Sequence, residues 1–497
     1  MKNRSIPDYN PQSEIRNPQS EAERFRDLIR ERTGLFSGDN WRDAFSRGVP
    51  DAAGRAKCNN LAEYYHLLRA APTETGVWDE LISAVTVGET YFFRDPNHFN
   101  ALRHHILPEL IRRRRDVRRL RIWNAGCSTG EEPYSVAILL RELIPDIDLW
   151  NIFILATDIN KEALQKARKA HYGDWSFRQT DPALRARYFY PREDRSCLRR
   201  GVRKMVTFGY LNLVEDVYPS MPTNTNAMDL IMCRNVVIYL PEKVIRMMAD
   251  KFYRCLVPEG RLIMGAAETD TFLYKQFEVA EHSGAFIYQR PVKPVWAVKT
   301  SAPPVVLPRK RPPRRKTPIM RAPSPPRKTP PSPSLPKPID YYGEGVIHME
   351  RGDTDQALAL FRTHLKKKPD SAPAFNRMAR LHANAGGLGE GLQCAEQAVR
   401  HDPLFAEAHY TLALIHQENG HMDEAITELK KTLYLDPDFT LANFSLSNLC
   451  QRAGRQDEAT RHRAYAIRLA AGLAPEEVVP GSYGLITAAR LLAMMRP

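Results

Sequence analysis

A strand, a tight turn and a helix follow one another in residues 120–135, which read Leu-Arg-Ile-Trp-Asn-Ala-Gly-Cys-Ser-Thr-Gly-Glu-Glu-Pro-Tyr-Ser. The first four residues alternate apolar and polar side chains, as a short strand does. The next seven are small turn formers, and a helical pattern continues to about residue 143. Gly126 and Gly130 let the backbone approach a ligand closely, and the N-terminus of the following helix offers unpaired N–H groups.

A second predicted strand, residues 152–157, ends at Asp158. An acidic residue that closes the second strand of such a unit is placed to accept hydrogen bonds from ribose hydroxyls. The turn lacks the G-x-G-x-x-G pattern of dinucleotide binders and carries Glu131 and Glu132 where a pyrophosphate would sit, which disfavours anionic ligands. A nucleoside with a cationic group fits better, and S-adenosylmethionine is the candidate. An ordinary βα turn without a ligand is the alternative.

The composition limits the class of protein. At 497 residues the chain is long enough for two or three domains. It has no apolar run long enough to span a membrane, and its polar N-terminus does not resemble a signal peptide. Seven scattered cysteines without a C-x-x-C pair argue against a structural metal site and favour a reducing compartment, with the cytoplasm as the expected location.

The net charge of +14 is concentrated in one segment. Residues 291–338 contain twelve Lys or Arg, sixteen of the 38 prolines and no acidic residue, a composition that predicts an extended linker. Residues 1–290 carry a net charge of only +5, and residues 339–497 carry −3. The charge therefore does not indicate a nucleic-acid partner. The basic run at 309–316 is interpreted as a solubilising tether, with binding to anionic membrane or nucleic acid as the alternative.

The first part of the chain is predicted to be helical. Residues 1–20 are polar and expected to be disordered, whereas residues 21–110 have apolar residues at helical spacing and indicate a small helical domain. Within this domain, residues 86–95 read Thr-Val-Gly-Glu-Thr-Tyr-Phe-Phe-Arg-Asp, with three consecutive aromatic residues beside Arg94. Two readings stay open: the rings pack in the interior, or the segment is a lid that carries the rings and Arg94 to the mouth of the glycine-turn site.

Strands and helices alternate over residues 111–290, which predicts an α/β domain with a mostly parallel sheet. The predicted strands are 120–124, 152–157, 206–210, 230–233, 261–264 and 285–289, and the predicted helices are 131–143, 161–170, 182–189 and 242–256. Ligands of such sheets lie beyond the carboxyl ends of the strands, where Asp158 and the segments 211–213 and 233–239 are expected to meet. Residues 191–205 form a basic interruption that is interpreted as a solvated loop, with a partner-docking insert as the alternative.

The last third of the chain is repetitive. Three prolines close predicted helical pairs at a spacing of 34 residues: Pro369, Pro403 and Pro437. This period is the signature of tetratricopeptide repeats, predicted here over residues 339–472, with Ala459 and Ala466 in a fourth, weaker unit. Residues 473–497 are the predicted capping segment, with an amphipathic helix over 484–495. Such arrays bind peptide segments on concave surfaces and do no chemistry.

Three motifs taken together resemble the chemotaxis receptor methyltransferases of the CheR type. They are Thr-Tyr-Phe-Phe-Arg-Asp at 90–95, Ala-Gly-Cys-Ser-Thr-Gly-Glu-Glu-Pro-Tyr-Ser at 125–135, and Cys-Arg-Asn-Val-Val-Ile-Tyr at 233–239. The resemblance covers residues 21–290. It implies an α/β Rossmann-like class I methyltransferase domain at 111–290, preceded by a small all-α domain and followed, after a Pro-rich linker, by an α-solenoid of tetratricopeptide repeats.

The resemblance also implies the activity and its residues. The implied enzyme is a cytoplasmic protein-glutamate O-methyltransferase, recruited to receptor arrays at the membrane, that converts S-adenosylmethionine to S-adenosylhomocysteine and needs no metal. The implied cofactor contacts are Thr90, Arg94, Glu132, Asp158, Asn212, Leu213, Arg234 and Asn235. Arg94 and Tyr239 are implied to flank the transferring methyl group as catalytic residues. The implied partners are the cytoplasmic helical region of membrane chemoreceptors and an unknown protein or peptide bound by the repeats.

The residues themselves fit this chemistry. A glutamate carboxylate is ionised at neutral pH, so its methylation needs in-line placement and no general base. Carboxylate and sulfonium lose their opposite charges as they react, which favours a dry, aromatic-lined site with Tyr91, Phe92 and Phe93 as candidate walls. Two alternatives stay open: methylation of another substrate, such as a different protein, a small acid or RNA, and a degenerate methyltransferase domain that acts as a signalling scaffold.

Overall fold

The computed structural model describes residues 18–35, 41–72, 75–86, 88–215, 217–292, 340–482 and 486–495. The chain forms two compact units, one made of Met1–Val292 with Asp370–Pro497 and the other of Lys293–Pro369. The predicted disordered N-terminus, up to residue 17, and the predicted linker beyond residue 292 lie outside the described residues.

Among the described residues of the first unit, ten strands form two sheets. In chain order they are β1 (Arg119–Ala125), β2 (Asn151–Asp158), β3 (His171–Tyr172), β4 (Phe189–Arg192), β5 (Arg195–Leu198), β6 (Val206–Tyr210), β7 (Met228–Cys233), β8 (Leu256–Met264), β9 (Glu278–His282) and β10 (Ala285–Gln289). The main sheet has seven strands in the order β6-β2-β1-β7-β8-β10-β9. Its first five strands run parallel to one another. Strand β10 pairs antiparallel with β8, and β9 pairs antiparallel with β10.

All six predicted strands are present, as β1, β2, β6, β7, β8 and β10. The prediction started β8 five residues late because Pro258, Glu259 and Gly260 interrupt the apolar pattern of this strand. It missed β9, a partly exposed edge strand with acidic residues. The α/β Rossmann-like fold class is confirmed.

Helices cover both faces of the main sheet. Those that precede the sheet are α1 (Pro18–Thr33), α2 (Trp41–Arg55), α3 (Leu61–Ala70), α4 (Gly76–Val85), α5 (Pro96–Ala101) and α6 (Leu107–Arg113). Those between its strands are α7 (Glu131–Leu143), α8 (Lys161–Lys169), α9 (Pro182–Tyr188), α10 (Arg200–Arg203) and α11 (Glu242–Cys255). Successive residues of β1 serve opposite cores: Ile122 joins the cluster that contains α7, and Trp123 joins the cluster that contains α11.

The basic interruption at 191–205 is not a solvated loop, so this interpretation was wrong. Strands β4 and β5 form a hairpin, which pairs with β3 to make a small three-stranded sheet. Cys197, Leu198 and Val202 are buried beneath it, while the arginines lie mostly at its surface. The run of four charged residues at 192–195 hid the strands because it was read as part of a loop.

Helical pairs follow the predicted 34-residue period. The second unit contains α12 (Tyr341–Glu350) and α13 (Thr354–Lys367). The first unit contains α14 (Ala372–Asn384), α15 (Leu388–His401), α16 (Ala406–Asn419), α17 (Met422–Leu435), α18 (Thr440–Arg452), α19 (Gln456–Ala471) and the short α20 (Ala488–Met495). The helical-repeat fold is confirmed, including the weaker pair α18–α19, where Ala459 and Ala466 are buried.

The helices from α14 onward, called the array below, pack along the amino ends of the parallel strands. A buried ion pair joins Arg121 of β1 to Glu418 of α16, with 2.6 Å between Nη1 and Oε2 and with 4% and 1% of the two side chains exposed. The Nε2 of Gln417 donates to the Oδ1 of Asn224 at 2.9 Å, just before β7. The guanidinium of Arg452 lies over the ring of Phe153 in β2. The array therefore covers one edge of the sheet.

Within the part of the chain that the structure describes, no helix has both the length and the apolar surface to cross a membrane. The same residues contain no group of three side chains suited to hold a metal ion.

Candidate active site

An open cavity lies at the carboxyl ends of β1, β2, β6 and β7. Residues at the ends of these four strands form its floor, and Thr86, Gly88, Glu89, Thr90 and Arg94, together with the end of α1, line its other side. All nine predicted site residues line it: Thr90, Arg94, Glu132, Asp158, Asn212, Leu213, Arg234, Asn235 and Tyr239. Parallel strands place all their carboxyl ends at one edge of the sheet and all their amino ends at the other. The cavity therefore lies opposite the edge that the array covers.

The glycine turn brings the backbone close to its neighbours. Gly126 has a φ of +85°, and a Cβ there would lie 2.3 Å from the Cγ2 of Val236. The N–H groups of Gly126 and Cys127 donate to the carbonyl of Thr157 at 2.8 and 3.0 Å. Because these two amides are engaged by β2, they are not available to a ligand, and only the first N–H groups of α7 remain as backbone donors of the kind expected from the sequence.

Asp158 lies at the end of β2, directly beside this turn. Its Oδ2 accepts a hydrogen bond from the N–H of Ser128 at 2.8 Å, and its Oδ1 accepts one from the N–H of Asn160 at 2.8 Å. Burial raises the pKa of this carboxyl above its ordinary value, although the backbone hydrogen bonds oppose the shift. Each oxygen keeps a second acceptor site, as two hydroxyl groups of a sugar require.

Glu132 and Arg234 form an ion pair in the cavity wall. The Nη1 of Arg234 lies 2.6 Å from the Oε2 of Glu132, and the two side chains are 2% and 13% exposed. Asn124 donates from its Nδ2 to the other oxygen of Glu132 at 2.6 Å. The Nη2 of Arg234 donates to the carbonyl of Arg94 at 2.9 Å. This pair thus ties the start of α7 and the end of β7 to the segment above the cavity.

Asn212 supplies an orphaned donor. The side chain is 3% exposed, and its Oδ1 accepts a hydrogen bond from the N–H of Val214 at 3.3 Å. Its buried Nδ2 has no hydrogen-bond partner among the described residues. A buried amide left without an acceptor costs about 1–3 kcal/mol, so a ligand that supplies an acceptor here gains affinity.

Arg94 and Tyr239 both line the cavity, and the charge of Arg94 acts on the Tyr239 phenol. The Nη1 of Arg94 donates to the carbonyl of Glu89 at 2.7 Å, which leaves other guanidinium donors for a ligand. Burial raises the pKa of Tyr239, while the charge of Arg94 acts in the opposite sense. The phenol of Tyr239 therefore stays protonated at neutral pH and can donate a hydrogen bond.

The three consecutive aromatic residues do not line the cavity, so the prediction of aromatic walls was wrong. Phe92 is buried among Tyr172, Phe177 and Phe189 at ring distances of 4.9–5.1 Å. Phe93 packs against Phe99. The apolar residues of the lining are mostly aliphatic and include Leu35, Val85, Leu213, Val214, Val236 and Leu240, beside polar and charged residues. Of the two readings left open for residues 86–95, interior packing holds for Phe92, and the lid reading holds for Arg94 alone.

Tyr91 belongs to a stacked group near the mouth of the cavity. The guanidinium of Arg178 lies 3.6 Å from the ring centre of Tyr91 and 4.2 Å from that of Trp175. Arg178 also pairs with Glu89 at 3.0 Å, and Trp175 is 69% exposed. Glu131, which was expected beside the ligand with Glu132, is instead held by Thr129 and Ser176 outside the cavity lining.

One residue that organises the site was missed by the sequence prediction. Glu268 is 6% exposed and follows β8. Its carboxylate accepts hydrogen bonds from the N–H groups of five residues at 2.7–3.3 Å: Asn235, Val236, Val237, Ile238 and Gly265. Asn235 adopts a φ of 59°, and this clamp holds it there. No sequence signal identifies Glu268, because its partners are backbone groups about thirty residues earlier.

Two family models match the chain. The model described as CheR methyltransferase, SAM binding domain, matches residues 88–285, and the model described as Tetratricopeptide repeat matches residues 376–438.

Three similar proteins show how far the match extends. The Chemotaxis protein methyltransferase of Borreliella burgdorferi is 35% identical over 214 residues, which are 42% of this chain and 74% of the relative. Chemotaxis protein methyltransferase 2 of Vibrio cholerae is 31% identical, with coverage of 54% and 92%. The Probable biofilm formation methyltransferase WspC of Pseudomonas putida is 28% identical over 435 residues, which are 76% of this chain and 98% of the relative.

Proposed function

Because this chain belongs to the family of chemotaxis protein methyltransferases, we propose that it transfers methyl groups from S-adenosylmethionine to glutamate side chains of chemoreceptor proteins. It is a methyltransferase of the CheR type that uses S-adenosylmethionine and carries tetratricopeptide repeats. The observation that carries the proposal is the cavity itself. It is lined by Asp158, by the amide of Asn212 with its unpaired donor, and by Arg94 and Tyr239.

In this proposal different residues of the cavity contact different parts of the cofactor. Asp158 accepts hydrogen bonds from the ribose hydroxyls, and the Nδ2 of Asn212 donates to the nucleoside base. Leu213 and the other aliphatic residues pack against the rings of the base. Thr90, Glu132, Arg234 and Asn235 surround the amino-acid part. The charges of the lining support a cationic ligand, because it contains three acidic residues (Glu89, Glu132 and Asp158) and two arginines.

The chemistry needs positioning more than proton transfer. The cofactor supplies a methyl group on a positively charged sulfur. Arg94 would bind the carboxylate of the incoming glutamate and orient it for the transfer, and the hydroxyl of Tyr239 would donate a hydrogen bond in the same site. No residue acts as a general base because the substrate carboxylate is already ionised at neutral pH. Where the aliphatic residues of the lining displace water, the opposite charges that disappear in the reaction are less well solvated beforehand.

We expect Asp158→Asn to weaken binding of S-adenosylmethionine by about 10- to 100-fold, as the loss of a charged acceptor for two hydroxyl groups predicts. Isothermal titration calorimetry measures the effect, with Asp116→Asn, an exposed aspartate before β1, as the matched control. Since burial raises the pKa of Asp158, affinity should fall on acidification sooner than for an exposed aspartate. The variant should lose this dependence. Equal affinities for wild type and Asp158→Asn would remove Asp158 from the cofactor site.

We expect Arg94→Ala to lower kcat/KM for methyl transfer by about 100-fold, because a misplaced carboxylate rarely reaches the in-line geometry. The assay follows labelled methyl groups into receptor-enriched membranes, and a parallel titration measures cofactor affinity. Arg115→Ala removes an exposed arginine outside the site and serves as the control. Unchanged transfer by Arg94→Ala would show that Arg94 does not orient the substrate.

The substrate class is tested by the product. Methylated glutamate is an ester, so the label transferred to chemoreceptors should be released as methanol by mild base. Label that resists base would point to a different acceptor, and label that appears on small acids would support the first alternative. Binding of S-adenosylmethionine without any transfer would support a scaffold role.

A second candidate substrate is a chemoreceptor that controls surface attachment instead of swimming. The relative whose alignment extends over 76% of this chain is named for biofilm formation, whereas the relatives named for chemotaxis align over about half of the chain or less. Deletion of the gene, followed by parallel assays of swimming and of biofilm mass, distinguishes the two outputs. In either case we propose that the enzyme acts in the cytoplasm on receptors at the membrane.

A further inference from the structure

The inner face of the array is already covered by the same chain. Tyr410 and Leu414 of α16 and Leu441 and Phe444 of α18 share one apolar cluster with Val479 and Ile486, which follow the last repeat. All six side chains are at most 7% exposed. The described residues of the segment 474–495, which are 474–482 and 486–495 and are called the C-terminal segment below, thus occupy the kind of surface on which repeat arrays bind peptides.

The covering segment forms a hairpin with defined contacts. The N–H of Val479 donates to the carbonyl of Ile486 at 2.8 Å, and Val478 pairs with Thr487. At the turn, the carbonyl of Gly481 accepts a hydrogen bond from the Nη1 of Arg380 in α14 at 3.3 Å. Arg380 is 2% exposed, so the hairpin meets a buried cationic donor of the inner face in addition to its apolar residues.

The other end of the C-terminal segment reaches the methyltransferase part. Helix α20 packs against α19, where the Nε of Arg463 donates to the carbonyl of Met495 at 2.9 Å. The Nε of Arg490 lies 3.1 Å from the Oε2 of Glu215. Glu215 directly follows Asn212, Leu213 and Val214 of the cavity lining, and its N–H donates to the carbonyl of Asn212 at 3.1 Å. One segment therefore contacts both the inner face and the loop behind the cofactor cavity.

We propose that the inner face of the array is a peptide-binding site whose resident ligand is residues 474–495 of this chain, and that a partner peptide displaces this segment and thereby loosens the cavity loop at Glu215. The resident segment indicates what a competing peptide must offer: two branched apolar residues on paired stretches of backbone, as Val479 and Ile486 are, and a carbonyl that accepts a hydrogen bond from Arg380. A tethered ligand is present at an effective concentration of about millimolar, so only a well-matched partner competes with it.

A glycine pair in the array allows a matched test in the full-length chain. Gly481 has a φ of +80°, and a Cβ there would lie 2.7 Å from the ring of Phe439. Gly454 has nearly the same φ, +78°, but a Cβ there would meet open space. Gly481→Val and Gly454→Val therefore share the backbone strain, while only the first expels the hairpin turn. Arg490→Ala is the third variant, because it breaks the contact with Glu215 and leaves the hairpin in place.

Three measurements test the proposal: hydrogen exchange of the Val479 amide, binding of a fluorescent synthetic peptide of residues 474–495, and calorimetric titration with S-adenosylmethionine. We expect Gly481→Val to exchange this amide at least about tenfold faster, to bind the peptide that wild type excludes, and to bind the cofactor more weakly. Arg490→Ala should weaken cofactor binding by about two- to fivefold, as an ion pair of this exposure predicts, and Gly454→Val should behave as wild type.

Two results would overturn the inference. If Gly481→Val keeps the slow exchange of wild type and still excludes the peptide, the C-terminal segment is an integral part of the fold and not a displaceable ligand. If the segment is released and cofactor affinity is unchanged in both Gly481→Val and Arg490→Ala, the proposed link to the cavity is absent. None of the three measurements involves a methyl acceptor. A failure of this inference is therefore distinguishable from a failure of the proposed substrate.

Discussion

Glu268→Gln is expected to lower the free energy of unfolding by about 3–5 kcal/mol and to weaken cofactor binding by at least about 100-fold, since several charged hydrogen bonds to buried backbone amides are lost together. Five N–H groups converge on this carboxylate. An amide has one oxygen to accept them, and its NH₂ group would face donors. The left-handed conformation of Asn235, which shapes the cavity floor, is then no longer stabilised by hydrogen bonds from residues 235–238 to this side chain.

Denaturant unfolding and cofactor titration measure these two effects. Glu278→Gln is the matched control, because Glu278 is an exposed acid on the edge strand β9. We expect it to change neither quantity. A Glu268→Gln protein with wild-type stability and affinity would show that the loop holds its shape without the clamp.

The second large effect concerns the edge of the sheet that the array covers. Glu418→Ala is expected to destabilise the chain by about 3–5 kcal/mol, because it leaves the charge of Arg121 buried and unpaired. Arg121 makes further hydrogen bonds to the carbonyls of Asn224 and Asn226, so it cannot simply turn to solvent. The mutation also removes the side chain that joins α16 to β1.

The double variant Arg121→Met with Glu418→Leu separates the cost of an unpaired charge from loss of the contact. We expect it to recover most of the stability, because apolar residues of similar size replace both charges. Arg118→Ala breaks an ion pair with Asp146 in which both side chains are about half exposed, so its effect should stay below about 1 kcal/mol. Equal stability of Glu418→Ala and Arg118→Ala would mean that the array is not docked in solution as described.

The success and the failures of the sequence prediction have a common physical origin. Periodic patterns predicted β1, β2 and the repeat helices because each buries a face whose spacing is set by its own backbone. The position of Asp158 also followed from local order, since it closes a strand beside the glycine turn. The hairpin of β4 and β5 was missed because each strand has only four residues, too short for an alternating pattern, and Pro191 and the charged residues 192–195 resemble a loop.

Long-range contacts were the part that sequence could not supply. The segment 86–95 places Phe92 in the core and Arg94 in the cavity, two residues apart, and its composition does not say which side chain turns inward. Glu268 acts on backbone amides, which every residue has, so its partners leave no trace in the sequence. The docking of the array depends on Arg121 and Glu418, nearly three hundred residues apart, and the repeat pattern is silent about it.

The closed glycine turn has a consequence for competition inside a cell. The amides of Gly126 and Cys127 are engaged by β2, so they cannot bind the phosphates of ATP and other adenine nucleotides. The cavity still provides Asp158 and Asn212 as hydrogen-bonding groups for adenosine. Only molecules that share the uncharged nucleoside and lack phosphate should compete with the methyl donor. The spent cofactor is such a molecule, so the balance of methyl donor to spent cofactor should govern the pace of this enzyme, and the energy charge should not.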